Sequence, residues 1–204
     1  MHFAKLLGLD QLLLIPSGQP WQKTSNITPA DIRLKLTEAA AIDLARAFLH
    51  LKIPTHIEVD RLEIDRAGPS YTIDTVKALR KRYGPNTSLT WLMGADSFIK
   101  LPTWNSWTEL LNQVHLAVAS RPDHELEREM DPKTSDLLAK HETLEPGPIE
   151  NSPFGRIYLD KTLAVDLSST DLRNQLGTPS GQSIGPEQIP SHTLEIITNL
   201  GLYK

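Results

Sequence analysis

The stretch Asp166-Leu167-Ser168-Ser169-Thr170-Asp171-Leu172-Arg173 sets hydroxyl side chains at the junction between an apolar run and a helical pattern, with an arginine one turn further on. Amides at a helix start have no intrahelical partner, and the helix dipole favours negative charge there. With hydroxyl donors and a guanidinium added, such a junction can cradle phosphate oxygens. The same residues also read as ordinary capping, with Ser168 or Ser169 as N-cap and Asp171 complementing the dipole; on local physics alone, capping is the simpler account. A second candidate is Met93-Gly94-Ala95-Asp96-Ser97. Glycine after a buried strand lets a ligand approach the backbone, and an aspartate can accept hydrogen bonds from ribose hydroxyls. A strand-ending turn in which Asp96 caps the next helix explains the segment equally well.

Trp104 and Trp107 stand three positions apart and can share one side of a helix start. A tryptophan beside a pocket can stack on a flat heteroaromatic ring or face a pyridinium cation, but it serves more often as core. Trp104 is assigned to stacking and Trp107 to core. Ser70-Tyr71-Thr72-Ile73-Asp74-Thr75 is a polar helix start whose amides and hydroxyls could hold a carboxylate or an amide, with Ser70 or Thr72 as the alternative cap. Gly18-Gln19-Pro20-Trp21-Gln22-Lys23 offers Lys23 as a cation for a phosphate, against the default of a solvated lysine.

Several chemistries find no footing. The chain has no phosphate loop of the Gly-x-x-x-x-Gly-Lys type, no Gly-x-Gly-x-x-Gly fingerprint and no Gly-x-Ser-x-Gly elbow. Its seven histidines are scattered, with no pair at metal-ligand spacing on one helix, so no metal site is expected. The absence of cysteine removes disulfides, thiolate ligands and cysteine nucleophiles, and fits a cytoplasmic protein. Lysine and arginine number 21 against 25 acidic residues, so no broad field attracts nucleic acid or anionic lipid. No apolar run approaches the roughly 20 residues that span a bilayer. Asp10 interrupts the apolar N-terminus, and no small-residue cleavage site follows it.

The elements that must position these groups follow from periodicity. Phe3 to Leu7 read as the last turn of a helix with Gly8 as C-cap, and Leu12 to Ile15 as a buried strand closed by Pro16. Thr28 and Pro29 predict an N-cap and first residue for a helix running from Ile32 through Leu49. His56 to Ile64 alternate as a half-exposed strand, and a helix follows near Ile73 to Tyr83. Thr90 to Met93 and Leu116 to Ala119 are strands flanking a helix that contains Trp107, Leu110 and Leu111. Beyond them come a short helix around Ser135 to His141, a last strand from Arg156 to Leu167, a capped helix from Ser168 to Leu176 and a final amphipathic helix from Thr193 to Leu200. Strands alternating with helices predict an α/β fold with a doubly wound parallel sheet, whose ligands sit beyond the carboxyl ends of the strands. At 204 residues the size distribution favours a single domain over the whole chain.

Taken in order, Gly8-Leu9-Asp10 through Ile15-Pro16, Gly18-Gln19-Pro20, Ser70 to Thr75, Gly94-Ala95-Asp96-Ser97, Trp104 with Trp107, Ser168 to Arg173, and the close Ile189-Pro190 to Gly201-Leu202-Tyr203 resemble one family. It is the nicotinate-nucleotide adenylyltransferases, a Rossmann-like branch of the nucleotidyltransferase superfamily. The resemblance implies transfer of AMP from ATP, with Mg2+, to nicotinate mononucleotide in NAD biosynthesis, giving nicotinate adenine dinucleotide and pyrophosphate. It implies that Ser168, Ser169, Thr170 and Arg173 meet the ATP phosphates, Gly94 and Asp96 a nucleotide ribose, and Lys23 a phosphate. Thr72 and Trp104 would hold the nicotinate ring, with main-chain amides favouring its carboxylate.

The family opens with a strand and a turn of the Gly-Gly-Thr-Phe-Asp-Pro-x-His-x-Gly-His type, which nothing in this sequence matches. His2 falls in the helix after that motif and does not replace it. The resemblance therefore implies that the start at Met1 is internal or truncated, that the central strand of a 3-2-1-4-5 sheet is missing, and that the chain as it stands has little or no activity. Gln22, where many members have histidine, is a smaller departure. A non-catalytic remnant that binds a pyridine nucleotide is the alternative; the paired tryptophans and the Ser-Tyr-Thr segment disfavour a phosphopantetheine substrate.

Overall fold

A computed structural model describes residues 1–21, 27–120, 126–163, 169–177, 184 and 188–203; of residues 127, 128 and 169–171 it describes the backbone. The chain divides into two compact units, one formed by Met1, Leu9–Pro69 and Asp166–Lys204, the other by His2–Gly8 and Ser70–Val165.

In the first unit, β1 (Gln11–Leu14) pairs in parallel with β2 (His56–Val59). β1 is half-buried along its length, where the sequence predicts a buried strand. Between these strands runs α2 (Ala30–His50), whose Leu34, Ala39 and Phe48 are buried. Pro29, not Thr28, is the N-cap, because Thr28 is engaged elsewhere: its carbonyl accepts from Arg33 and its hydroxyl meets the hydroxyl of Tyr203. Helix α9 (Ser191–Asn199) packs on α2 and is tied to it by Asp43, which accepts from the His192 backbone N–H at 2.9 Å and pairs with the His192 ring. Helix α8 (Ser169–Leu176) joins them through a cluster of Ile184, Ile189 and Ile197 flanked by Leu172, Leu176 and Tyr203.

In the second unit, α1 (His2–Leu6) ends at Gly8 with φ +55°, as the sequence predicts. Then come α3 (Thr72–Tyr83), β3 (Thr90–Gly94), α4 (Ala95–Ile99), 3-10 turns at Leu101–Thr103 and Trp107–Asn112, and β4 (His115–Ala119). α5 (Leu126–Glu129), α6 (Pro132–His141), β5 (Glu142–Thr143), α7 (Gly147–Glu150) and β6 (Ile157–Asp160) complete it. The four strands form a parallel sheet in the order β3-β4-β6-β5. Strand β4 is central and buried on both faces, which explains its unbroken apolar run. β6 stops at Asp160, short of the predicted Leu167, because the Asp160 carboxylate turns the chain by accepting from Thr162. The two-residue β5 lies in a charged stretch with no strand signal.

The sheets are parallel and interleaved with helices, as expected for a Rossmann-like fold. The first unit's sheet has the order β1-β2 and the second unit's the order β3-β4-β6-β5. The core of the second unit gathers Ile73, Val76, Met93, Phe98, Leu101, Leu110, Leu116 and Ile157. At the amino end of β4, buried His115 is held neutral: its Nε2–H donates to the Ser152 carbonyl at 2.8 Å and its Nδ1 accepts from the Arg156 N–H at 3.0 Å. Burial pushes its pKa down, in keeping with that tautomer.

Candidate functional site

The register of the second unit places Gly94, Ala119 and Asp160 in one row across the carboxyl ends of β3, β4 and β6. This is the edge of a parallel sheet where ligands bind. Gly94 is exposed, its φ is −83°, and a Cβ built on it would meet nothing within 4 Å among the described residues. The fold therefore does not demand glycine here; what its absent side chain provides is open access to the backbone. Asp96, exposed in the first turn of α4, is not the cap: Gly94 holds that place and α4 starts with no side-chain hydrogen bond.

Thr72 is the first residue of α3, and the N-cap is Tyr71, again with no side-chain hydrogen bond to the helix start. Neither Ser70 nor Thr72 holds the N-cap position, which Tyr71 occupies in extended backbone. Trp104 closes a 3-10 turn with its N–H on the Leu101 carbonyl at 2.9 Å, and Trp107 donates to the Trp104 carbonyl at 3.3 Å. Both indoles are half-buried against the same core, so burial does not separate a stacking from a core tryptophan. Ile73, which follows Thr72, and Ala95, which precedes Asp96, are buried in that cluster, and Trp104 packs against it.

Sequence reasoning missed Asp160. Its carboxylate is 2% exposed; Oδ1 accepts from the Thr162 N–H at 3.0 Å and hydroxyl at 2.7 Å, and among the described residues Oδ2 has His2 Nε2, 2.6 Å away, as its partner. His2, set aside as a helical histidine, is therefore the partner of a buried acid at the rim. The only local signal was an aspartate ending an apolar run, Ile157 to Asp160.

In the first unit, Arg173 is exposed on α8, with its guanidinium 5.8 Å from the centroid of the Tyr203 ring. The backbones of Ser169 and Thr170 open α8; their side chains, Ser168 and Lys23 lie outside the described residues. The Arg33 guanidinium donates to the Ser17, Gly18 and Thr28 carbonyls, the Gly18 bond being 2.7 Å. Burial lowers the Arg33 pKa. Gly18 differs from Gly94 in its reason: a Cβ there would lie 1.9 Å from the Glu63 carbonyl oxygen, so packing requires it.

Residues 2–175 match the cytidylyltransferase-like family. A Herminiimonas arsenicoxydans protein named probable nicotinate-nucleotide adenylyltransferase is 33% identical over 203 residues, spanning 100% of this chain and 87% of that protein. The chain belongs to the nicotinate-nucleotide adenylyltransferase family. A relative of the same name from Aeromonas salmonicida is 35% identical over 97% of the chain and 85% of its own length. Among solved structures, Plasmodium falciparum nicotinic acid mononucleotide adenylyltransferase complexed with NaAD superposes with a TM-score of 0.64 at 14% identity, over 100% of this chain and 88% of that one. That likeness bears on the fold, which is Rossmann-like. For a nicotinate-nucleotide adenylyltransferase, the family match from 2 to 175 takes in every candidate from Lys23 to Arg173 and leaves Tyr203 outside it. Among the described residues, no helix is long and apolar enough to cross a membrane, and no group of histidine, aspartate and glutamate is placed to hold a metal ion.

Proposed function

We propose that this chain transfers AMP from Mg-ATP to nicotinate mononucleotide in the cytoplasm, forming nicotinate adenine dinucleotide and pyrophosphate. The observation that carries the reading is the carboxyl-end rim of the second unit, where Gly94 is open without a packing reason. The half-buried Trp104 packs against the core that Ile73 of α3 and Ala95 of α4 share. Gly94 and Asp96 take a nucleotide ribose, Trp104 stacks on the pyridine ring, and Thr72 with the first amides of α3 receives the ring carboxylate. Amide donors satisfy a carboxylate, whereas the NH2 of nicotinamide would set donor against donor, so nicotinate is preferred. Arg173, with Ser168, Ser169 and Thr170, holds the ATP phosphates, and Lys23 the phosphate of the mononucleotide.

In the reaction an oxygen of the mononucleotide phosphate bonds to the α-phosphorus of ATP as the bond from that phosphorus to the bridging oxygen breaks. Pyrophosphate leaves with Mg2+, which arrives with ATP. No protein nucleophile is needed; the chain supplies alignment and positive potential on the phosphates. The test is pyrophosphate release with Mg-ATP and either mononucleotide, run on these 204 residues and on a form extended upstream in frame. Release with nicotinate mononucleotide, and much slower release with nicotinamide mononucleotide, is expected; release in neither form refutes the reading.

A further inference from the structure

Helix α2 has a face made of Lys35, Glu38, Ile42, Ala45, Arg46 and Leu49, all of them exposed. Their spacing of three and four puts them along one side of the helix. A solvated face of this kind is ordinarily polar, yet Ile42 is 47% exposed and Leu49 82%, and with Ala45 they follow the three-and-four spacing of a seam between helices. Beside this seam, α2 and α9 flank a groove of about 520 Å3, lined by the apolar Ala39, Ile42, Ile196 and Leu200 together with Lys35 and Glu38.

The order of residues along the face is self-complementary about Ile42. Glu38 lies one turn before it and Arg46 one turn after, while Lys35 lies two turns before and Leu49 two turns after. A second α2 laid antiparallel across a two-fold axis at Ile42 would set each Glu38 against the partner's Arg46. It would also bring each Leu49 level with the partner's Lys35, where the groove lies. A parallel pairing would put Glu38 on Glu38 and Arg46 on Arg46, so the charges select the antiparallel one. Arg46 spends one nitrogen at home, Nη1, which lies 3.3 Å from His192 Nε2, and the Arg61 guanidinium near Glu38 is itself paired with Asp65 at 2.9 Å.

We infer that the α2–α9 face is an isologous interface between two copies of this chain, in which each Leu49 fills the partner's groove and two Glu38–Arg46 pairs fix the register. The inference rests on no part of the activity proposed above. One helix pair and two grooves make an interface at the small end of the specific range, so the dimer should be reversible.

Sedimentation velocity on the full chain over a dilution series tests it, and wild type should pass from dimer to monomer as it is diluted. Leu49→Gln keeps the length and adds no charge; it should weaken dimerisation by roughly tenfold or more. Glu38→Arg and Arg46→Glu each set like charges across the axis and should do the same. Combined in one chain they exchange the signs, and the dimer Kd should return to within roughly threefold of wild type. A chain that is monomeric at every concentration overturns the inference, whether the face stays bare or serves another protein. A dimer that Leu49→Gln leaves intact lies elsewhere and overturns it too, as does a double variant no tighter than its singles. Should Arg46→Glu fail to fold for want of its His192 contact, Glu38→Arg and Leu49→Gln decide the matter, since wild-type dimerisation in both refutes the interface.

Discussion

Replacing Arg80 with methionine keeps the length of the stem and removes every donor, and the cost can be worked from its contacts. The guanidinium donates to the Gln113, Gly84, Thr87 and Pro153 carbonyls, with Nε–Gln113 at 3.0 Å and Nη2–Pro153 at 2.7 Å, and lies 5.5 Å from the Phe154 centroid. The bond to Thr87 is exposed and contributes little; the other three carbonyls are part-buried, and each net bond is worth about 1 kcal/mol. The variant should therefore lose about 3 kcal/mol, which for a chain of this size lowers Tm by roughly 6–12 °C. Lysine, a single point charge, reaches fewer of these carbonyls and should restore less than half of the loss. Thermal and urea unfolding followed by circular dichroism measure both. These contacts lie toward the amino end of β4, away from the Gly94–Ala119–Asp160 row, so the folded variant should bind nicotinate mononucleotide as wild type does. A loss under about 1 kcal/mol, or full rescue by lysine, would refute the reasoning.

Gly94→Val should leave Tm unchanged, since its side chain meets open space, yet abolish measurable Mg-ATP binding; Gly18→Ala should do the reverse, costing about 1–3 kcal/mol through its clash with the Glu63 backbone. A drop in Tm for Gly94→Val would mean that packing and not access explains the glycine. Trp104→Ala should weaken nicotinate mononucleotide by about 1–3 kcal/mol in calorimetry, and unchanged affinity would remove the stacking role. Asp43 provides a pH test. Burial acts to raise its pKa, but hydrogen bonds from the His192 backbone and ring, with Arg46 nearby, outweigh it and hold the group below the usual carboxylate value. A depressed pKa gives stability that is present above the unfolded value and lost as pH falls through the folded one. Asp43→Asn should thus cost stability at about pH 6 and progressively less below about pH 4; an equal cost in melts at both would count against the pair.

Much of the fold was readable because period and composition agree locally. The apolar runs of β3 and β4, the helical spacing from Ile32 to Leu49 and the glycine after α1 each match their elements. What escaped depends on distant partners. Thr28 looks like an N-cap from its neighbours, but its hydroxyl partner lies 175 positions away. The buried acid of Asp160 is matched by His2 from the other end of the sequence, and no periodicity encodes that pairing. The reason for Gly18 lies in the Glu63 backbone, a distant segment that no local pattern records.

The grip of Arg33 on Gly18 and Thr28 makes a closed ring of the chain between them, with a non-covalent clasp at the seam. The entropy of closing such a ring rises only with the logarithm of its length, about 0.6 kcal/mol per doubling. Nine residues lie between the two anchors, Lys23 among them. Insertions and deletions among those nine should therefore be tolerated far better than any change to the clasp itself. Length and composition can drift between the anchors while one arginine keeps the two in place.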